Sequence, residues 1–313
     1  MNLHQPSKIL DPTTTVDGSP RASVALDRLE TLWFNTGTLC NLECKGCYIE
    51  SSPKNDRLAY LTADEVRVYL DEIKREGFVT REIGFTGGEP FMNPQIIEMM
   101  TDCLDRGFEV LVLTNGMRPM MKLDASLLRL HQRFGQKLTL RVSLDHYTEN
   151  RHEELRGPRT WTHTTQGLKW LAQEGFQVHV AGRTVWGEGE NSAREGYARL
   201  FSELGVDIDA HDPVALLLFP EMDEAAPVPE ITTGCWSLLN VDPNTLMCAN
   251  SRMVVKHKGA DGTSVQACTL LPYDPRFALG TTLRAAITEP VVLNHPHCAK
   301  FCVLGGGACS VAD

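Results

Sequence analysis

Apolar and polar positions alternate along this chain as short apolar runs separated by longer amphipathic stretches. The runs are 31–37 (TLWFNTG), 81–87 (REIGFTG), 109–116 (EVLVLTNG), 138–145 (LTLRVSLD), 176–185 (FQVHVAGRTV) and 213–219 (PVALLLF). They are rich in Val, Ile, Leu or Phe and predict strands buried on both faces. Helical patterns fill the gaps. Thr62 with Glu65 makes a capping-box pattern ahead of VRVYLDEIKREG. Asn93 and Pro94 read as a cap and first helical position, with Gly107 as the stop. TQGLKWLAQEG and SAREGYARLFSELG also end on glycine. About six strand–helix units therefore precede residue 220, which predicts an α/β fold with a parallel sheet. Six units suit a partial (β/α)6 TIM-like barrel better than a closed eight-unit one.

The remaining stretches divide the chain. Residues 1–28 are polar and Pro/Thr-rich and read as a flexible N-terminal segment, 29–220 as the barrel core, and 221–234, rich in Pro and acid, as a linker. Residues 235–313 hold six of the ten cysteines and read as a small cysteine-rich domain. A segment that short gains folding energy from bound metal. A chain of 313 residues suits such a large-plus-small arrangement.

The net charge of −10 argues against nonspecific attraction to nucleic acid or anionic membrane. No apolar run approaches the ~20 residues of a membrane span, and the N-terminus has no apolar signal core. The expected location is the cytoplasm, where thiols stay reduced. Cysteines that cluster there point to metal. Cys103, alone in PQIIEMMTDCLDRG, reads as a small buried hydrophobe.

Cys40, Cys44 and Cys47 form C-x3-C-x2-C just after the first strand. That is the strand's C-terminal end, where barrels place active sites. A tetrahedral zinc site wants a fourth nearby ligand, and none is close in sequence. A four-iron cluster is usually held by four thiolates, so three leave one iron open, as catalysis requires.

With Tyr48 following, this motif resembles the signature of the radical SAM (S-adenosylmethionine) superfamily. Further matches come in order over roughly 31–220. GFTGGEP carries Gly87, Gly88, Glu89 and Pro90, which by the resemblance receive the SAM amino group. Asn115 lies in TNG at the end of the third strand. Ser143 and Asp145, in SLD, resemble the ribose-contacting segment. Arg156, in HEELRG, would meet the SAM carboxylate with its guanidinium fork. Tyr48 would stack on adenine. The resemblance implies a [4Fe-4S] cluster on Cys40, Cys44 and Cys47, and reductive cleavage of SAM to a 5′-deoxyadenosyl radical. That radical would abstract hydrogen from a substrate. A flavodoxin or ferredoxin-type electron donor is implied as well. Cofactors carry such chemistry while the protein supplies placement and dryness.

CANSRMVVKHKGADGTSVQAC (248–268) reads as a hairpin with Cys248 and Cys268 at its open end. With FALGTTLRAAI (277–287) and CAKFCVLGGGAC (298–309) it resembles the SPASM and twitch auxiliary-cluster domains. The resemblance implies an auxiliary [4Fe-4S] cluster, with Cys235, Cys248, Cys268, Cys298, Cys302 and Cys309 as candidate ligands. The spacings depart from the usual ones, and a second auxiliary cluster is left open. Cys235 reads either as a ligand or as packed beside Trp236. Structural zinc, with His295 and His297 beside Cys298, is the alternative for this region.

The favoured substrate is a peptide or protein side chain. The alternatives are a small molecule such as a sugar or cofactor precursor, or a non-catalytic iron–sulfur or zinc protein. Residues for substrate chemistry are left open among Asp145, His146, Tyr147, His179 and Arg183.

Overall fold

The computed structural model describes residues 11–221, 223 and 227–305. A short strand, β1 (Ser23–Val24), precedes six strands that coincide with the six apolar runs. These are β2 (Thr31–Asn35), β3 (Glu82–Thr86), β4 (Glu109–Thr114), β5 (Leu138–Ser143), β6 (Gln177–Arg183) and β7 (Leu216–Phe219). They pair as parallel neighbours in chain order. Parallel pairing needs crossovers, and helices supply them: α1 (Ala63–Glu76), α2 (Ile96–Asp105), α3 (Asp124–Phe134), α4 (Glu149–Arg156) with α5 (Thr160–Gln173), and α6 (Glu190–Leu204). This is the expected partial barrel.

The strands alternate between two cores. Leu32 and Phe34, Ile83 and Phe85, Val110 and Val112, and Leu140 and Val142 pack against the helices. Trp33 and Leu111 point the other way and join residues of the C-terminal region. Trp33 lies across β3, and a Cβ on Gly84 would collide with its indole. The glycine in REIGFTG is thus the space that a large inward ring needs.

The Thr62–Glu65 capping box forms: Glu65 N donates to Thr62 Oγ1 at 3.2 Å and Thr62 N to Glu65 Oε2 at 2.8 Å. The apolar face of α1, Val66, Tyr69, Leu70 and Ile73, is buried. The second cap differs from expectation. α2 starts at Ile96 without a side-chain cap. Asn93 lies three residues earlier, where its Oδ1 accepts from Gln95 N at 2.9 Å and its amide staples the turn to Thr36 O at 3.1 Å and Leu61 O at 2.9 Å.

The predicted hairpin forms as β8 (Ser251–Val255) against β9 (Ser264–Gln266), with Val254 opposite Val265. Periodicity did not foretell its location. β8 lies parallel to β2, so the eight-stranded sheet runs β7-β6-β5-β4-β3-β2-β8-β9. Other contacts bind the C-terminal region to the barrel. Glu72 of α1 accepts the backbone N–H groups of Leu283 and Arg284, each at 3.0 Å. The rings of Phe219 and Phe301 stack at 5.4 Å.

The N-terminal segment, read as flexible, carries several of these ties over its described part. β1 pairs antiparallel with β10 (Val291–Val292). Arg21 is buried and bonded to Asp11 O, Thr14 O and Glu230. No helix among the described residues is long and apolar enough to cross a membrane.

Candidate active site

The cysteine loop leaves β2 at Asn35 and is stitched to the end of β3. Thr36 N donates to Thr86 O, Gly88 N to Gly37 O and Glu89 N to Leu39 O, at 2.8, 2.8 and 3.1 Å. This close approach requires the two glycines. Gly87 has φ +142°, and a Cβ on it would stand 2.5 Å from Gly37 O. A Cβ on Gly88 would overlap the Leu39 carbonyl. The loop's far end is held by Lys45 N to Leu155 O at 2.8 Å and by Tyr273 OH to Ile49 O at 2.8 Å.

Cys40, Cys44 and Cys47 line one cavity at the C-terminal ends of the strands, with about 1140 Å³ of empty space that opens to solvent. Tyr48, Gly87, Gly88, Asn115, Ser143, Asp145 and Arg156 line it too. Among the described residues on its wall, the three thiols are the only Cys or His side chains. Burial pushes the Cys40 thiol up to about 12, and burial also raises Cys44. Without iron these are neutral thiols; bound metal deprotonates a coordinating thiol. Asn115 Nδ2 lies 4.0 Å from Cys40 Sγ and donates to Asn41 Oδ1 at 2.9 Å.

Asp145 and Arg156 form a buried bidentate pair, with Nε to Oδ2 at 2.7 Å and Nη2 to Oδ1 at 3.0 Å. The carboxylate raises the already high Arg156 pKa against the cost of burial. The guanidinium therefore stays charged beside Cys44, aimed by Asp145.

Glu89 and Pro90, expected among the SAM contacts, do not line the cavity. Glu89 is buried behind it, where its carboxylate accepts from Asn115 N and Thr114 Oγ1 at 2.9 Å each and from Phe91 N at 3.2 Å. It joins the ends of β3 and β4. Burial lifts its pKa to about 7 against those hydrogen bonds.

Arg183 lines the cavity, with Nη1 3.5 Å from Gly46 O. His146 and Tyr147 face away toward Glu188, the tyrosine hydroxyl donating at 2.6 Å. His179 neighbours Arg141 across the β5–β6 pairing, below the cavity wall. Arg141, Ser51, Phe219 and Leu270 also line the cavity and were not foreseen. Arg141 did leave a trace: it is the one cation of β5, between Thr139 and Ser143 on the face opposite the helix-packed Leu138, Leu140 and Val142. Leu270 left none.

In the C-terminal region burial raises the Cys298 thiol, and the nearby thiols of Cys268 and Cys248 raise it further. Burial pushes Cys248 up to about 11 and Cys298 higher. Cys302 is half-buried one turn on from Cys298 in the helical segment Cys298–Val303. Cys235 sits apart from these in its bonding, its sulfur accepting from Thr232 N at 3.4 Å. Cys309 lies outside the described residues. His295 and His297 are buried with rings 4.7 Å apart, and burial lowers each to about 4. Among the described residues no three Cys, His, Asp or Glu side chains converge to hold a single metal ion. A four-iron cluster makes a different demand, one thiolate for each iron.

Residues 34–201, more than half the chain, match the Radical SAM superfamily. The chain belongs to that family. It works with a [4Fe-4S] cluster and SAM, and the cysteine loop described above falls inside the match. Among curated relatives, the chain is 33% identical over 143 residues to the antilisterial bacteriocin subtilosin biosynthesis protein AlbA of Bacillus subtilis. That alignment covers 45% of this chain and 30% of AlbA. An S-adenosylmethionine-dependent nucleotide dehydratase of Selenomonas ruminantium is 32% identical over 77 residues, 25% of this chain and 26% of the relative. Among solved structures, Streptococcus suis SuiB bound to S-adenosylmethionine superposes with TM-score 0.59 at 12% identity, over 81% of this chain and 63% of SuiB. SuiB bound to precursor peptide SuiA gives 0.50 at 16%, over 63% and 40%. These structural likenesses show the fold. The chain spans less than half the length of the curated relatives it matches.

Proposed function

We propose that this radical SAM protein cleaves SAM at its barrel mouth and acts on a peptide or protein side chain. The observation that carries the reading is the single cavity shared by Cys40, Cys44, Cys47, Gly87, Gly88, Ser143, Asp145 and Arg156. The donor set fits the cluster: three thiols from one loop, with no other Cys or His on the described wall. When bound, the cluster and SAM supply reductive cleavage to a carbon radical that takes hydrogen from a substrate. The chain's own residues do the placing. Gly87 and Gly88 let backbone approach the ligand. Asp145 holds the Arg156 fork toward a carboxylate. Leu113, Phe219 and Leu270 exclude water from the wall. A peptide substrate is supported by AlbA's role in making a bacteriocin and by the precursor peptide bound to SuiB. The nucleotide dehydratase supports a small-molecule substrate as the second reading.

In this reading the core is 29–220, the linker 221–234 and the auxiliary domain 235–313. Cys248, Cys268, Cys298 and Cys302 hold an auxiliary [4Fe-4S] cluster, and a flavodoxin or ferredoxin-type protein in the cytoplasm donates electrons. The test is anaerobic incubation of reconstituted protein with dithionite and SAM. Release of 5′-deoxyadenosine is expected, and Cys44→Ala abolishes it; no release from iron-replete protein overturns the reading. Co-expression with short peptides from neighbouring reading frames decides the substrate: an altered peptide mass supports the first reading, and a nucleoside product the second.

A further inference from the structure

Arg252 is a cation fully enclosed in protein. It follows Cys248 by four residues at the root of β8 and has no solvent exposure. Its guanidinium donates to three carbonyl oxygens: Cys248 at 2.7 Å, Ser251 at 2.8 Å and Ala286 at 3.0 Å. Nη2 has no hydrogen-bond partner, and among the described residues no carboxylate pairs with the charge. A buried ion without a counter-ion is strongly unfavourable, because neutral carbonyl dipoles do not replace the hydration of a full charge. The groups that act on Arg252 electrostatically are the thiols of Cys248 and Cys268. As neutral thiols they offer no compensation; as metal-bound thiolates they do.

We propose that Arg252 is the built-in counter-charge of the auxiliary iron–sulfur cluster, and that its positive charge raises the reduction potential of that cluster. The inference rests on the auxiliary-cluster reading above. A fixed cation favours the cluster's more negative, reduced state over the oxidised one. Arg suits the position because it keeps its charge when buried and its fork satisfies carbonyls at the same time.

The test removes the first cluster with Cys40→Ala/Cys44→Ala/Cys47→Ala, then reconstitutes the full chain anaerobically with iron and sulfide. About four iron and four sulfide per chain should remain. If none remain, the auxiliary reading itself fails. In this background, Arg252→Met and Arg252→Lys are titrated with dithionite and followed by electron paramagnetic resonance. Arg252→Met should lower the reduced-to-oxidised ratio at fixed ambient potential by tenfold or more, about 59 mV per tenfold for one electron. Arg252→Lys should stay near the parent. Loss of iron from the methionine variant alone also supports the proposal, since charge is then needed for assembly. A methionine variant that titrates like the parent overturns it. So does equal loss of iron from both variants, which would make Arg252 a carbonyl cap and nothing more.

Discussion

Asp145 and Arg156 are eleven residues apart in sequence and meet through two hydrogen bonds. Removing one charge strands the other in a buried setting. Asp145→Asn should therefore destabilise the fold by about 3–5 kcal/mol, measured by urea unfolding, and weaken SAM binding because the fork loses its aim. His152, one turn before Arg156, is fully buried with neither ring nitrogen bonded. Burial and then Arg156 lower its pKa to about 4. The folded state thus holds this imidazole neutral, while the unfolded chain protonates it near pH 6.5. The stability involved is complete above pH 6.5 and is lost as pH falls toward 4, about 3 kcal/mol by linkage. His152→Gln should flatten the pH dependence of the unfolding midpoint over that window. Both residues of the ion pair stood out in the sequence because they sit in the SLD and HEELRG segments. Their partnership did not stand out, because spacing says nothing about two side chains on separate elements.

The glycine pair after β3 and the cap before α1 are local devices with different reach. Gly88→Ala would press a methyl into the Leu39 carbonyl, which leads directly to Cys40. The expected result is loss of most iron from the three-cysteine site, with a smaller cost to folding of about 1–3 kcal/mol. Iron analysis and thermal unfolding measured together check both halves. Thr62→Ala removes one side of a reciprocal cap and should cost about 1 kcal/mol without changing iron content. The capping box was legible because its partners are three residues apart. Asn93 does accept from Gln95 N as a cap would, but its amide also donates to Thr36 and Leu61 of distant loops, which its sequence position could not show. Glu89 was expected at the ligand for a related reason. Its motif was visible, but the Thr114 and Asn115 donors that draw its carboxylate behind the cavity belong to another strand end.

Across the fold as a unit, the C-terminal region extends the barrel sheet through β8 and stacks Phe301 on Phe219. Phe301 is fully buried. Phe301→Ala should cost about 3–5 kcal/mol in chemical denaturation, with the loss seen by probes in the barrel as well as in the cysteine-rich region. Local periodicity by itself marked the six strands, the helices between them and the hairpin, because the spacing of apolar positions that distinguishes each element repeats within a few residues. The order of motifs, read through the resemblance to the radical SAM superfamily, grouped Cys40, Cys44 and Cys47 with Gly87, Gly88, Ser143, Asp145 and Arg156. The packed chain alone decided which edge the hairpin joins, that Arg141, Phe219 and Leu270 complete the cavity, and that Arg252 is enclosed with no carboxylate partner among the described residues. Those outcomes depend on which distant surfaces exclude water from one another, and a linear pattern of residue types does not encode that.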